Sequence, residues 1–163
     1  MIQTSSHNNC KTDKYRLVSI SRNKGKDANY EGECFPDLAP GRDFWYIWHN
    51  NIGQVDELEN NKYYIEQYYD TVLSKLDPKD TYQKLDDSIL LCYEESYEFC
   101  HRHIVAAWFE LYLDVTIPDV KVNAETIEEQ PKPTYIKEML EEIIKTKQNI
   151  DSKTSIKKLY KSK

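Results

Sequence analysis

The sequence is poor in glycine, with only 4 in 163 residues and none after Gly53. Dinucleotide-binding folds and P-loop enzymes need clustered glycines, because only glycine lets the backbone approach a phosphate closely. This chain has no such cluster, which excludes nicotinamide-dependent dehydrogenases, P-loop enzymes and kinases. Long apolar runs are lacking too. None approaches the roughly 18 residues that span a bilayer, so we expect no membrane-spanning segment.

Charge is abundant but unevenly distributed. Residues 43–144 hold 8 basic and 22 acidic side chains, a net charge of −14, whereas residues 145–163 hold seven lysines and one acid. An acidic body repels polyanions, so we do not expect non-specific binding of duplex nucleic acid. The start Met1-Ile2-Gln3 does not resemble a signal peptide, and four cysteines are here more typical of reduced thiols than of a disulfide framework. We therefore expect a cytoplasmic protein.

Hydrophobic periodicity divides the chain into three parts. Residues 1–14 are polar, which predicts a disordered N-terminal arm. Residues 15–122 predict the core domain, with strands at 15–21, 88–92 and 115–122, helices at 61–76, 78–86 and 100–113, and a long covering loop at 22–54. Residues 123–163 predict a linker, an amphipathic helix at 135–146 and a basic tail. In the covering loop, Trp45, Trp48 and His49 either form a small core of their own or stack on a base or sugar.

This order of elements predicts an α/β fold. We expect a small parallel or mixed sheet covered by helices, Rossmann-like and three-layered, with an appended C-terminal helix. In such sheets ligands bind outside the carboxyl ends of the strands. The first predicted strand ends at residues 19–22, the second ends at residues 91–94, and the next helix begins at residues 99–103. We expect these three segments to meet and form the functional site.

Several side chains in these segments are suited to chemistry on an anion. Cys100 stands in the predicted first turn of a helix, where the helix dipole lowers the pKa of a thiol. With His101 as its base, Cys100 is a candidate nucleophile; the alternative is a cysteine buried in the core. Arg102 and Arg22 are candidate anion contacts, because a guanidinium group binds carboxylate or phosphate through a planar fork. Glu94 would orient Arg102 or His101 or act as a general base, or it is a surface acid.

Cys92 ends the second predicted strand, where tyrosine phosphatases and rhodaneses carry a cysteine. Those phosphatases need an arginine six residues later, and this chain has Glu98 there. We therefore interpret Cys92 as a core cysteine at the edge of the site. The spacing of Cys92, Cys100, His101 and His103 also differs from that of zinc sites, whose ligand pairs lie about two to four residues apart. We expect no metal and no cofactor.

The same segments resemble the domain-of-unknown-function 488 (DUF488) family. Its members carry a stretch similar to LLCYE…FCHRHLVAEWL, and this chain has Ile89-Leu-Leu-Cys-Tyr-Glu94 followed by Phe99-Cys-His-Arg-His-Ile-Val-Ala-Ala-Trp108. Residues 19–22 resemble the family's SIAR strand end, residues 38–40 its LAP element and residues 64–78 its Y…Y…VLSKLDP segment. The resemblance covers residues 15–122 and implies a Rossmann-like α/β fold. The resemblance implies a functional site but no particular reaction. The residues of that site are Ser21, Arg22, Cys92, Glu94, Cys100, His101 and Arg102.

The chain departs from the family pattern in two places. Asn23-Lys-Gly25 stands where the family has a proline after the SIAR arginine, and residues 45–51 differ from the charged helix expected after LAP. Both departures lie in the predicted covering loop, so they bear on the identity of the substrate.

Two main functions follow as hypotheses, and a zinc-site protein is a third hypothesis that elemental analysis of the purified protein would test. The first is a Cys-dependent enzyme that acts on a nucleotide or a nucleic-acid-related substrate at the start of the 100–113 helix. Its catalytic residues would be Cys100, His101 and Glu94, and its anion and substrate contacts would be Arg102, Arg22, Ser21 and Cys92. The alternative is a non-catalytic interaction module that binds a host or defence protein through its acidic surface and C-terminal helix.

Overall fold

The computed structural model describes residues 1–22 and 30–161, with side chains up to residue 155, and centres on a six-stranded sheet. Its strands are β1 (Gln3–Ser6), β2 (Arg16–Ser19), β3 (Glu33–Cys34), β4 (Ser88–Cys92), β5 (Asp119–Val122) and β6 (Ile127–Gln130). They lie in the order β3-β2-β4-β1-β5-β6, and every neighbouring pair is parallel except β5 and β6. The fully buried β4 packs Leu90 on one face of the sheet and Ile89 and Leu91 on the other.

The described residues also form five α-helices. These are α1 (Arg42–Asn51), α2 (Glu57–Thr71), α3 (Pro78–Leu85), α4 (His101–Leu113) and α5 (Tyr135–Lys161). Aspartates cap two of them, since Asp56 accepts the Glu59 N–H and Asp77 accepts that of Asp80. All five helices contribute side chains to one core that also contains Leu90 of the sheet.

The predicted fold class is confirmed. The chain is an α/β protein with a mixed sheet covered by helices and a helix at its C-terminal end. The predicted strand at residues 88–92 and helix at 78–86 match β4 and α3 closely. Within the described ranges no helix has the length and apolar character that crossing a membrane requires.

The prediction of a disordered arm over residues 1–14 is wrong. β1 lies between β4 and β5 within the sheet, and Ile2 before it is fully buried. The strand is polar because its hydroxyl groups find partners on β5. The Thr4 hydroxyl donates to the Asp119 carboxylate at 2.7 Å, and the Ser5 hydroxyl donates to the Val120 carbonyl at 2.5 Å. A strand whose side chains are held by hydrogen bonds to a neighbouring strand needs few apolar residues, so its sequence shows no apolar periodicity.

The predicted covering loop at residues 22–54 contains α1. Gly41 precedes this helix, and Phe44 enters the core with its ring centroid 5.0 Å from that of Tyr64. Residues 45–51 therefore are helical, as the family pattern implies, although they are aromatic rather than charged. The departure at Asn23-Lys-Gly25 lies outside the described residues.

The C-terminal helix is longer than predicted. α5 continues to Lys161, through most of the segment expected to be a basic tail. Its apolar residues Ile136, Leu140, Ile143 and Ile144 are buried in the main core. The apolar side of the C-terminal helix is thus covered within the molecule, while the interaction-module hypothesis, which relied on the acidic surface and this helix, stays a prediction.

Candidate functional site

A cleft of about 1010 Å³ lies at the carboxyl edge of the sheet. It forms where the residues after β2 and β4 meet the start of α4, and α1 lies over it. Six of the seven predicted site residues line this cleft, namely Ser21, Arg22, Cys92, Glu94, Cys100 and His101. The expected convergence of the three segments is therefore seen in the geometry, although their roles stay predictions.

A cluster of Cys92, Cys100 and His101, here called the thiol–imidazole cluster, forms the most buried part of the cleft. Their sulfur and nitrogen atoms all lie within 4.8 Å of one another. His101 Nε2 lies 3.0 Å from the Ile20 carbonyl oxygen. A carbonyl can only accept, so Nε2 carries the hydrogen and the Nδ1 lone pair of the neutral ring points toward the thiols. Nδ1 lies 3.3 Å from Cys92 Sγ.

Glu94 places a carboxylate beside this cluster. The Cys92 thiol donates to Glu94 Oε2 at 3.2 Å. Burial raises the pKa of Glu94 to about 7, and the neighbouring Cys100 adds to this effect. The carboxyl group can thus both hold and release a proton near neutral pH, which is the property of a general acid or base.

The helix start does not lower the pKa of Cys100, contrary to the sequence-based expectation. Cys100 caps α4, but burial raises the pKa of its thiol to about 12, and Cys92 contributes in the same direction. Desolvation of the thiolate therefore outweighs the helix dipole and the nearby Arg102. Burial also opposes the charged form of His101, yet Cys100, Glu94 and the Ile20 carbonyl together raise its pKa.

Arg102 is fully buried and does not reach the cleft. Its Nε and Nη2 donate to the Asp119 carboxylate at 2.9 and 3.3 Å, and its Nη1 donates to the Glu94 backbone carbonyl at 2.6 Å. Its guanidinium is paired with Asp119 and turned away from the cleft lining, so the structure offers no exposed surface of Arg102 for the predicted anion contact. It fixes the start of α4 against β5 and the segment after β4, and so holds the cluster in place.

Two other arginines lie at the mouth of the cleft. Arg22 and Arg42 are both exposed, and in the part of the chain that the structure describes neither pairs with a carboxylate. The Arg22 guanidinium donates to the Pro40 carbonyl. Burial lowers the pKa of Arg22, and the positive charge of Arg42 lowers it further. Nearby, the buried Ser21 hydroxyl has no partner among the described residues.

Aromatic rings form one wall of the cleft. Trp45 and Trp48 come from α1, Tyr64 from α2 and Phe99 from the segment before α4. Trp48 packs against Tyr64 and Phe99 with ring centroids 5.3 and 5.5 Å apart. Trp45 stacks on His49 at 4.8 Å with an interplanar angle of 23°. Trp45 and Trp48 are both partly buried, and both pack against the main core. Both also line the cleft, and their stacking on a base or sugar stays a prediction.

The sequence did not single out Arg42, Tyr64, Phe99 or Asp119. Arg42 is the first residue of α1, two positions before its aromatic run, and this nearness to Phe44 and Trp45 was the signal for it. Asp119 lies 17 residues from Arg102, on a strand recognised only by its apolar neighbours, and no local pattern connects the two.

Comparison with known families adds one match. A family model named DUF488-N3a and described as "Active DUF488-N3 subclade" matches residues 3–113. The matched range begins at β1, ends with α4 and includes the whole thiol–imidazole cluster. The predicted resemblance is confirmed. No curated protein and no solved structure matches the chain.

Proposed function

Since the chain belongs to the DUF488-N3a family, we propose that its cleft binds a nucleotide-like substrate and that the groups on the cleft floor act on it. The phosphate would lie between Arg22 and Arg42, the base would stack on the aromatic wall, and the reacting bond would lie over Glu94 and His101. The observation that carries this proposal is the pair of exposed arginines that line the cleft and have no carboxylate partner among the described residues.

The two arginines support an anionic ligand. Like charges placed close together repel each other, and an anion between them converts that repulsion into attraction. Guanidinium groups donate to phosphate oxygens in a fixed planar geometry, which favours them over lysine for this purpose. Arg22 is already held by the Pro40 carbonyl, so part of the cost of ordering the side chain is met before the ligand binds.

The aromatic wall supports a planar group attached to that anion. Stacking of a nucleobase on an aromatic ring contributes about 1–3 kcal/mol. Trp45 presents a half-buried ring at the cleft, and the neighbouring Tyr46 is 57% exposed. A phosphate alone would leave the exposed parts of both rings in water, whereas a nucleotide would cover them.

The floor of the cleft supports a reaction rather than binding alone. Glu94 and His101 bring a carboxylate and an imidazole to one side of the cleft, and the Ile20 carbonyl fixes the orientation of the ring. We assign proton transfer with the substrate to Glu94. Cys100 is not assigned as the nucleophile in this proposal, because burial keeps its thiol protonated. The interaction-module alternative keeps the acidic surface and the exposed side of α5 for a partner, whereas the apolar residues of α5 are already buried in the core.

Calorimetric titration with nucleoside 5′-monophosphates, the parent nucleosides and inorganic phosphate tests the proposal. We expect a monophosphate to bind more tightly than either of its parts. Arg42→Ala should weaken that binding by roughly 10- to 100-fold, the equivalent of losing a hydrogen bond to a charged group. Lys84→Ala removes a positive charge from α3 outside the cleft and is the matched control.

Two results would contradict the proposal: no monophosphate binds the wild-type protein, or Arg42→Ala and Lys84→Ala bind equally well. Mass spectrometry of the incubated ligand then detects turnover. Glu94→Gln should keep the binding and lose the turnover.

A further inference from the structure

We propose that the thiol–imidazole cluster is a metal site that binds one Zn²⁺ ion through Cys92 Sγ, Cys100 Sγ and His101 Nδ1, with a fourth position open to the cleft. This proposal is independent of nucleotide binding, because all three ligands are side chains of the protein and no nucleotide is needed to hold the ion. Two cysteines and one histidine form a known ligand set for catalytic zinc, in which water or substrate occupies the remaining position.

The distances between the ligand atoms fit a tetrahedral ion. Zinc bonds of about 2.3 Å to sulfur and about 2.0–2.1 Å to nitrogen place neighbouring ligand atoms about 3.5–3.8 Å apart. Cys92 Sγ and His101 Nδ1 are 3.3 Å apart, and Cys100 Sγ lies within 4.8 Å of both. Shifts of less than about 1 Å would therefore bring all three atoms to coordination distance.

The surroundings orient the histidine as a ligand. Metal-binding imidazoles commonly donate their second N–H to a backbone carbonyl, which fixes the tautomer and the ring plane. His101 Nε2 makes this contact with the Ile20 carbonyl at 3.0 Å, and Nδ1 is thereby directed at the two sulfur atoms. This hydrogen bond connects the end of β2 to the cluster and is a second observation, independent of the clustering itself.

Burial and charge favour a divalent ion in this place. Each of the three ligands is at most 6% exposed. Two thiolates and a neutral imidazole cancel the charge of Zn²⁺, so the loaded site would be electrically neutral and suited to a buried position. On binding, each thiol would lose its S–H proton to the solvent as its Sγ–Zn bond forms, which releases two protons per ion.

The fold explains why the spacing gave no indication of this site. Ligand residues about two to four positions apart in the sequence are typical of zinc sites in which one tight turn supplies two ligands. Here one ligand ends β4 and the other two begin α4, and the intervening segment returns to the same edge of the sheet. Arg102 of α4 donates to the Glu94 carbonyl just after β4, which ties the two ends of that segment together, and Asp119 of β5 fixes the Arg102 side chain. Tertiary contacts of this kind, rather than a short spacing in the sequence, bring the ligands together.

Titration of the reduced, metal-free wild-type protein with Co²⁺ tests the proposal, and no nucleotide is present. We expect one ion per chain, a thiolate-to-cobalt charge-transfer band, tetrahedral ligand-field bands in the visible range and displacement of cobalt by Zn²⁺. Cys92→Ser, Cys100→Ser and His101→Gln should each lose or strongly weaken these bands. Cys34→Ser removes a thiol on β3 outside the cluster and should leave them unchanged.

The proposal is overturned if the wild-type protein takes up no cobalt with thiolate bands, or if Cys92→Ser keeps the full spectrum. It is also overturned if Cys34→Ser loses the bands as Cys92→Ser does. The cobalt spectrum of the wild-type protein remains decisive even where a variant fails to fold. Failure of nucleotide binding would leave this result untouched, so the two proposals fail separately.

Discussion

Single residues at this site differ sharply in whether their polar groups are already paired. Arg102 has its guanidinium enclosed by Asp119 and the Glu94 carbonyl, and it is fully buried. Arg22 belongs to the same predicted group of anion contacts, yet it is exposed beside a second arginine. A buried and neutralised charge is suited to supporting structure, whereas an exposed arginine with no carboxylate partner among the described residues is suited to the proposed anion contact. The residue type alone did not distinguish these two environments.

Replacing Arg102 should therefore affect stability. Arg102→Met leaves the Asp119 carboxylate buried without its partner, and we expect the free energy of unfolding to fall by about 3–5 kcal/mol. Adding Asp119→Asn should restore part of the loss, because it removes the uncompensated charge and keeps an acceptor for Thr4. Urea denaturation measures the wild type, the single variant and the double variant. A loss below about 1 kcal/mol for Arg102→Met, or a double variant less stable than Arg102→Met, would contradict this assignment.

At the scale of elements, Glu110 connects α4 to two neighbouring segments. Its Oε1 accepts from the Ile117 N–H at 3.0 Å and from Lys132 Nζ at 2.8 Å, and its Oε2 pairs with Lys137 of α5 at 3.0 Å. The Glu110 side chain is only 7% exposed. Burial disfavours its charged form, but Lys132, the Ile117 N–H and Lys137 outweigh that effect and lower its pKa. Glu110 thus fixes α5 and the approach to β5 against α4, the helix that carries the cluster.

Glu110→Gln should lower the free energy of unfolding by about 1–3 kcal/mol near neutral pH, because the charged hydrogen bonds to both lysines are lost. A carboxyl group whose folded pKa is lowered stabilises above its unfolded pKa, and this contribution disappears as the pH falls through the folded value. The difference between wild type and variant should therefore shrink below the ordinary glutamate value of 4.5. Urea denaturation across that range measures it, and the exposed Glu141→Gln on α5 is the control. A pH-independent difference would contradict this explanation.

Across the whole molecule, the sequence predicted the elements that carry apolar periodicity. β4 and α3 were predicted closely, and the convergence of residues 19–22, 91–94 and 99–103 followed from the rule for the carboxyl edge of a sheet. β1 was missed because its hydroxyls bond across the sheet to Asp119 and Val120 rather than bury apolar surface. The Arg102–Asp119 pair was missed because it depends on which strand becomes the neighbour of β1, and tertiary structure alone decides that.

The scarcity of glycine bears on how the proposed anion would be held. The sequence has no glycine cluster for a phosphate, so under the proposed function an anion would be held by side chains, and Arg22 and Arg42 line the cleft. Acidic residues dominate the chain between residues 43 and 144, so two exposed arginines stand out in an acidic protein. Under the same proposal, this contrast would steer small anions toward the cleft, while the acidic surface would repel polyanions.

A crystal structure of the protein with a bound nucleoside 5′-monophosphate is the most direct test of nucleotide binding in the cleft. We expect phosphate oxygens within hydrogen-bonding distance of both Arg22 and Arg42, with the base against Trp45 and the sugar toward Glu94. A nucleotide bound elsewhere on the molecule, or one whose phosphate leaves both arginines without contact, would contradict it.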